Sequence, residues 1–185
     1  VLTFISGGAR SGKSRLAEQM AADAAGDRKP FYIATARKSE MPERISIHQQ
    51  DRGNRWITIE EPLHIDVAAG RIPDSAVVLI DCLTVWTSNV MFSEQLSAQE
   101  TAARFKNLLS ISKRKNLHLF LVSNDVNEGI PLKNRVADHY IQCLESVHKL
   151  AVHAADNVYE AVCGLPVVWK KDGHYPEGVW GGNNQ

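Results

Sequence analysis

Gly7-Gly8-Ala9-Arg10-Ser11-Gly12-Lys13-Ser14 has the spacing G-x-x-x-x-G-K-S, and each position has a chemical use. Glycines let the backbone wrap an anion with its N–H groups, and a helix starting behind the loop aims its positive dipole end at the same anion. Lys13 can then reach the β- and γ-phosphates of a nucleoside triphosphate, while the Ser14 hydroxyl can ligate Mg²⁺. The flanks are what this chemistry needs. Val1-Leu2-Thr3-Phe4-Ile5 reads as a short buried strand, and Arg15 to Ala22 as a helix-forming run. Loop, strand and helix together predict a triphosphate site with Arg10, Lys13 and Arg15 crowded around it.

Other residues offer chemistry on weaker patterns. Asp81 closes the apolar run Val77-Val78-Leu79-Ile80, which places a carboxylate at the carboxyl end of a strand. Beside a phosphate loop, the expected role is the Mg²⁺ of a bound triphosphate rather than a solvated strand end. His48 lies in a polar segment whose apolar residues are too sparse for a core helix; read alone, it fits a surface or core polar residue as well as a catalytic one. His64, His118, His139, His148, His153 and His174 make no H-E-x-x-H or i,i+4 pair, which argues against a histidine metal site. Ser123-Asn124-Asp125 begins a polar loop after a core strand, readable as a ligand loop or as an ordinary connection.

The elements that must hold these residues alternate. Strands are predicted at Phe31–Ala34, Arg55–Ile59, Val77–Asp81 and Leu117–Val122, with two β-rich pieces at Asn157–Val162 and Val167–Lys171. Helical patterns cover about 40–50, 63–69, 84–92, 98–113 and 134–155. The fourth is opened by Ser97 with Glu100 three residues on, a capping box. Strands separated by helix-length segments predict an α/β fold, a mostly parallel sheet with helices on both faces. One domain is expected over residues 1–171, followed by a loose tail at 172–185 rich in Gly, Asn and Pro.

Composition narrows the class. Hydrophobic residues at 44% and charged residues at 23% suit a globular protein with a proper core. Twenty-one basic and 21 acidic residues cancel, so no global field favours nucleic acid. Cys82, Cys143 and Cys163 are an odd number without C-x-x-C spacing, which argues against a disulfide framework and for a reducing cytoplasm. No apolar stretch reaches the roughly 18 residues of a membrane span, and no charged-then-apolar leader precedes the first strand.

These segments together resemble the bifunctional adenosylcobinamide kinase / adenosylcobinamide-phosphate guanylyltransferase family of cobalamin nucleotide-loop assembly. The resemblance rests on Gly7 to Arg15, Tyr32-Ile33-Ala34-Thr35-Ala36, Glu40-Met41 with Arg44-Ile45 and His48, and Trp56 to Glu60. It continues through Leu79 to Thr84 with Asn89, Val122 to Val126, Ala154 to Tyr159, and Gly164-Leu165-Pro166. It implies a P-loop nucleoside triphosphate hydrolase-like fold and two reactions. ATP or GTP phosphorylates the aminopropanol hydroxyl of adenosylcobinamide; then GTP loses pyrophosphate to a histidine, which hands GMP to the cobinamide phosphate. His48 matches that nucleophile. By the same match Ala34, Thr35 and Ala36 line the nucleotide site, Asp51, Arg52, Gly53 and Asn54 lie beside it, Glu60 and Thr84 fall on nucleotide-binding positions, and Asp81 is the metal's acid. A homotrimer is implied as well.

The chain departs from the family pattern after Asp125. Asn127 replaces a Gly and Pro131 sits one place early. Ala137-Asp138 stands where an Ala-Arg pair is usual and Ile141-Gln142 where an Arg-Asp pair is, and His148-Lys149 replaces an Asn-Gln pair. Two lost arginines weaken an anion site by about 1–3 kcal/mol per phosphate contact. Alternative functions are therefore a relative keeping one of the two activities, a P-loop kinase for another small hydroxyl compound, and a nucleotide-dependent regulatory switch.

Overall fold

Runs of consecutive apolar residues form strands buried on both faces, and two of them, Val77–Ile80 and Leu119–Val122, lie at the middle of the sheet. A computed structural model describes residues 1–36, 53–125 and 135–176. Among these, seven strands and five α-helices alternate: β1 (Leu2–Ser6), α1 (Lys13–Ala25), β2 (Phe31–Ala34), β3 (Ile57–Glu60), α2 (Ile65–Arg71), β4 (Val77–Asp81), α3 (Leu83–Ser93), α4 (Ala98–Arg114), β5 (His118–Val122), α5 (Arg135–Ala154), β6 (Asn157–Val162) and β7 (Leu165–Lys170). They build one sheet in the order β3-β2-β4-β5-β1-β6-β7, parallel except for the β6–β7 hairpin. The expected α/β architecture is the one found.

Side-chain alternation along the central strands divides the core in two. Val78 and Ile80 face one side with Phe4, Leu119 and Leu121, under Trp86 of α3, Phe105 and Leu108 of α4 and Val147 of α5. Val77 and Leu79 face the other with Ile5, Phe120 and Val122. There α1 offers Ala17, Ala21 and Ala25 at i, i+4 and i+8, so small side chains let the helix lie close on the sheet and aim its start at the end of β1. Trp86 is fully buried and its indole N–H donates to the Leu63 carbonyl at 2.9 Å, which satisfies the one polar atom of the largest core side chain.

Local chemistry sets the boundaries. Ser97 and Glu100 make the predicted capping box, each side chain bonded to the other's backbone N–H, worth about 1 kcal/mol. The helix expected from Leu63 begins at Ile65, because Glu61 Oε1 accepts from the N–H groups of Leu63 and His64 and holds a turn first. The strand expected from Arg55 begins at Ile57, after a 3₁₀ turn at Gly53–Arg55. The segment expected to be loose from residue 172 starts instead with an anchored turn. Asp172 N donates to Asn157 Oδ1, Gly173 N donates to the Asp156 carbonyl, and Lys171 pairs with His174. Residues 177–185, and the helix expected at 40–50, lie outside the described residues. No described helix is long and apolar enough to cross a membrane.

Candidate active site

The phosphate loop joins the carboxyl end of β1 to α1, and its glycines have identifiable reasons. A Cβ at Gly7 would lie 2.5 Å from Ser11 Oγ and 2.8 Å from the Ala161 carbonyl oxygen, so the loop closes only without a side chain there. Gly12 takes φ 87° as the residue before α1, a left-handed conformation that costs any other residue. Gly7→Ala is expected to lower unfolding free energy by about 2 kcal/mol, because the Ala161 carbonyl is fixed in β6 and cannot give way. Urea denaturation checks this; an unchanged midpoint would mean the loop tolerates a side chain.

Two neighbours and one bond of its own hold the loop. Asp125 N, just past β5, donates to the Gly7 carbonyl at 3.1 Å, and Gly164 N, in the β6–β7 turn, donates to the Ser11 carbonyl at 2.8 Å. Lys13 is buried, and its Nζ donates to the Gly8 carbonyl at 2.9 Å, holding the ammonium over the loop. Two observations fit an anion here. α1 has neither a side-chain cap nor an acidic residue in its first turn, which leaves its first N–H groups and positive dipole end for a ligand. Ser11 Oγ is buried without a hydrogen-bond partner among the described residues.

The ends of β2 and β4 lie along the same edge. Asp81 is half-buried and its Oδ2 accepts from Tyr32 OH at 3.0 Å. Burial first, and then the Asp81 carboxylate beside it, push the Cys82 thiol up to about 11, against the opposite pull of Lys13. Cys82 is therefore a neutral thiol and no nucleophile at ordinary pH. Thr35 is fully buried, with its Oγ1 accepting from Cys82 N at 2.8 Å and donating to the Cys82 carbonyl at 2.9 Å. That hydroxyl ties β2 to β4 and positions the half-buried Ala34 and Ala36 on either side of it. Asn89 Nδ2 donates to the Thr35 and Pro62 carbonyls and fixes the same corner from α3. Thr84, in the first turn of α3, accepts from Asn124 N at 2.8 Å and shares a hydrogen bond with Ser123 Oγ at 3.0 Å.

The edge thus gathers Gly7 to Ser14, Ala34 to Ala36, Asp81, Thr84 and Ser123 to Asp125. Other expected residues are placed elsewhere. Glu60 is exposed at the end of β3, four strands from β1, roughly 19 Å at about 4.8 Å per strand. The parallel register Phe31↔Ile57 puts the start of β3 at the opposite edge of the sheet, so Gly53 and Asn54, just before it, are not against the phosphate loop. Asn54 instead faces α1 across a cleft of about 630 Å³ whose wall runs from Arg15 to Gly26. His48, Asp51 and Arg52, with Asn127 and Pro131, lie outside the described residues. On α5, Asp138 is exposed and Ile141 half-buried, so of the two positions that lost arginines the first lies fully at the surface.

Sequence reasoning passed over Tyr32 and His148. Tyr32 read as a core strand residue, and nothing short-range marks its hydroxyl. His148 Nε2 lies 2.6 Å from Ser123 Oγ, 25 residues away in sequence, so no local spacing could reveal the pair.

A parallel α/β sheet with a lysine-bearing phosphate loop at its carboxyl edge defines a nucleotide-binding protein of the phosphate-loop class. The family model for cobinamide kinase / cobinamide phosphate guanyltransferase matches residues 3–169, and the chain belongs to that family. Curated relatives agree. The bifunctional adenosylcobalamin biosynthesis protein CobU of Escherichia coli is 32% identical over 181 residues, covering 90% of this chain and 98% of that protein. The protein of the same name from Salmonella typhimurium is 34% identical over 182 residues, with the same two coverages. CobP of Pseudomonas aeruginosa is 33% identical over 175 residues, covering 90% of this chain and 96% of its own. Among solved structures, the flagellar accessory protein FlaH of Methanocaldococcus jannaschii superposes with TM-score 0.54 at 14% identity, covering 95% of this chain and 82% of that one, a likeness of fold.

Proposed function

We propose that this chain phosphorylates the hydroxyl of adenosylcobinamide with ATP or GTP and then transfers GMP from GTP through His48, giving adenosylcobinamide-GDP. The observation that carries the reading is the family match over residues 3–169, joined to a loop whose uncapped helix start and buried Lys13 suit a triphosphate. In this reading the backbone N–H groups of Gly8 to Ser14 hold the β- and γ-phosphates. Lys13 moves from the Gly8 carbonyl to the phosphate oxygens, where it stabilises charge developing on the leaving group. Ala34 and Ala36 flank the nucleotide, and Asn54 and Glu60 serve parts of the ligand remote from the phosphates.

The Ser14 hydroxyl and the Asp81 carboxylate are hard oxygen donors of the kind that suits Mg²⁺, and Tyr32 OH orients Asp81 from behind. Bound there with the triphosphate, the ion would supply Lewis-acid stabilisation of the phosphoryl oxygens. For the second reaction, neutral His48 attacks the α-phosphorus, the bond to pyrophosphate breaks, and the phosphoramidate hands GMP to the cobinamide phosphate. We place the protein in the cytoplasm on its cysteine usage, and assign it a homotrimer on the strength of the resemblance. Incubation with α-labelled GTP and Mg²⁺ followed by denaturation is expected to leave acid-labile, base-stable label on the chain. Absence of label in active, GTP-binding protein would remove the covalent step.

A further inference from the structure

We propose that Thr84, Ser123 and His148 form a proton relay that draws the proton from the acceptor hydroxyl during phosphoryl transfer, with His148 as its terminal base. The proposal rests on the kinase reading above. Its geometry is a continuous chain across three elements: Thr84 Oγ1 lies 3.0 Å from Ser123 Oγ, and Ser123 Oγ lies 2.6 Å from His148 Nε2. The chain is anchored beside the phosphate loop. Ser123 N donates to the Ile5 carbonyl and Asp125 N to the Gly7 carbonyl, while Thr84 stands three residues beyond Asp81.

Counting hydrogens gives the relay a direction. With its ring proton on Nδ1, His148 accepts at Nε2 from Ser123, and Ser123 then accepts from Thr84. Thr84 Oγ1 also accepts from Asn124 N, and one lone pair remains on the half-buried end of the chain. Ser123 is fully buried, so water does not compete for the middle link. Tyr140 OH donates to the Thr84 carbonyl at 3.1 Å and steadies the outer end from α5.

The surroundings suit a base. Burial against Phe4, whose ring centroid is 5.4 Å from that of His148, lowers the imidazole below its ordinary 6.5 and keeps it neutral at pH 7. The charged groups facing it are Asp125 past β5 and Glu145 on its own helix, both of which favour the imidazolium once formed. Glu145 is 3.8 Å from Lys149 at the surface, and the residues facing from β1 and α3, Phe4 and Thr84, carry no charge. In the step, the acceptor oxygen bonds to the γ-phosphorus as the bond to the β,γ-bridging oxygen breaks, and the nucleoside diphosphate leaves with that electron pair. The acceptor's proton passes to Thr84, Thr84's to Ser123 and Ser123's to His148 Nε2. The half-exposed ring then returns a proton to solvent.

The test measures adenosylcobinamide phosphorylation across pH for wild type and His148→Gln, with chain labelling by α-labelled GTP in parallel. The variant is expected to lose about 100-fold in kcat at neutral pH, keep KM for the triphosphate within about two-fold, and lose the acid limb that wild type shows below the His148 pKa. Labelling stays at the wild-type level, because that reaction abstracts no proton from this hydroxyl. If His148→Gln does not fold, Ser123→Ala cuts the relay while leaving the imidazole in place, and the same kcat loss is expected. Wild-type kcat with an intact acid limb in either variant overturns the relay, as does an equal loss of labelling, which would mark a structural role. A wild-type protein that never phosphorylates the corrinoid fails the parent reading; an active one with indifferent variants fails the relay alone.

Discussion

Lys13→Ala abolishes both activities, with kcat/KM for each expected to fall by about 10³-fold or more. The ammonium is the buried cation of the loop, poised on the Gly8 carbonyl 2.9 Å away, and in the proposed function both reactions place a triphosphate tail over it. Phosphoryl transfer leaves little covalent chemistry to the protein, so positioning and charge stabilisation carry the rate. The fold should survive. Alanine is the best helix former at the first position of α1, and the lost side-chain hydrogen bond is worth about 1 kcal/mol. Lys13→Arg is expected to rescue poorly, since a planar guanidinium replaces a compact charge in a buried loop. Calorimetric titration with GTP alongside both assays checks the pair. Wild-type GTP affinity in Lys13→Ala would take the triphosphate out of residues 7–14.

How much of this was readable in the chain depended on how local the cause was. The phosphate loop, the Ser97–Glu100 box and the strands β4 and β5 were legible because a motif, a cap or a doubly buried apolar run is written in consecutive residues. Strand order was not, because β1 pairs with β5 and β6, more than a hundred residues away. The β6–β7 hairpin read only as two β-rich pieces. Its turn, Cys163 at φ 50° and Gly164 at φ 82°, needs left-handed backbone at two positions, and one of them is not glycine. That turn bonds to Ser11, so a detail of the neighbouring hairpin bears on the phosphate loop. Thr35 shows a different gap. Resemblance placed it at the nucleotide, while its buried hydroxyl is engaged with Cys82, a fact that only the register of β2 against β4 makes visible.

His48→Asn should divide the two reactions. Guanylyl transfer and chain labelling are expected to fall by about 10⁴-fold or more, since asparagine offers no basic nitrogen lone pair to the α-phosphorus. Phosphorylation of adenosylcobinamide should stay within a few-fold of wild type, because in the proposed function it uses Lys13 and the phosphate loop but no covalent histidine. The pattern is the mirror of His148→Gln, which should cut phosphorylation and spare labelling, so two imidazoles 100 residues apart would serve the two halves of one sequence of reactions. Lys13→Ala, by contrast, removes both. Assaying the three variants side by side therefore separates a shared triphosphate site from two private histidines. Equal loss of both activities in His48→Asn would assign that residue to structure and leave the GMP carrier to be sought elsewhere in the chain.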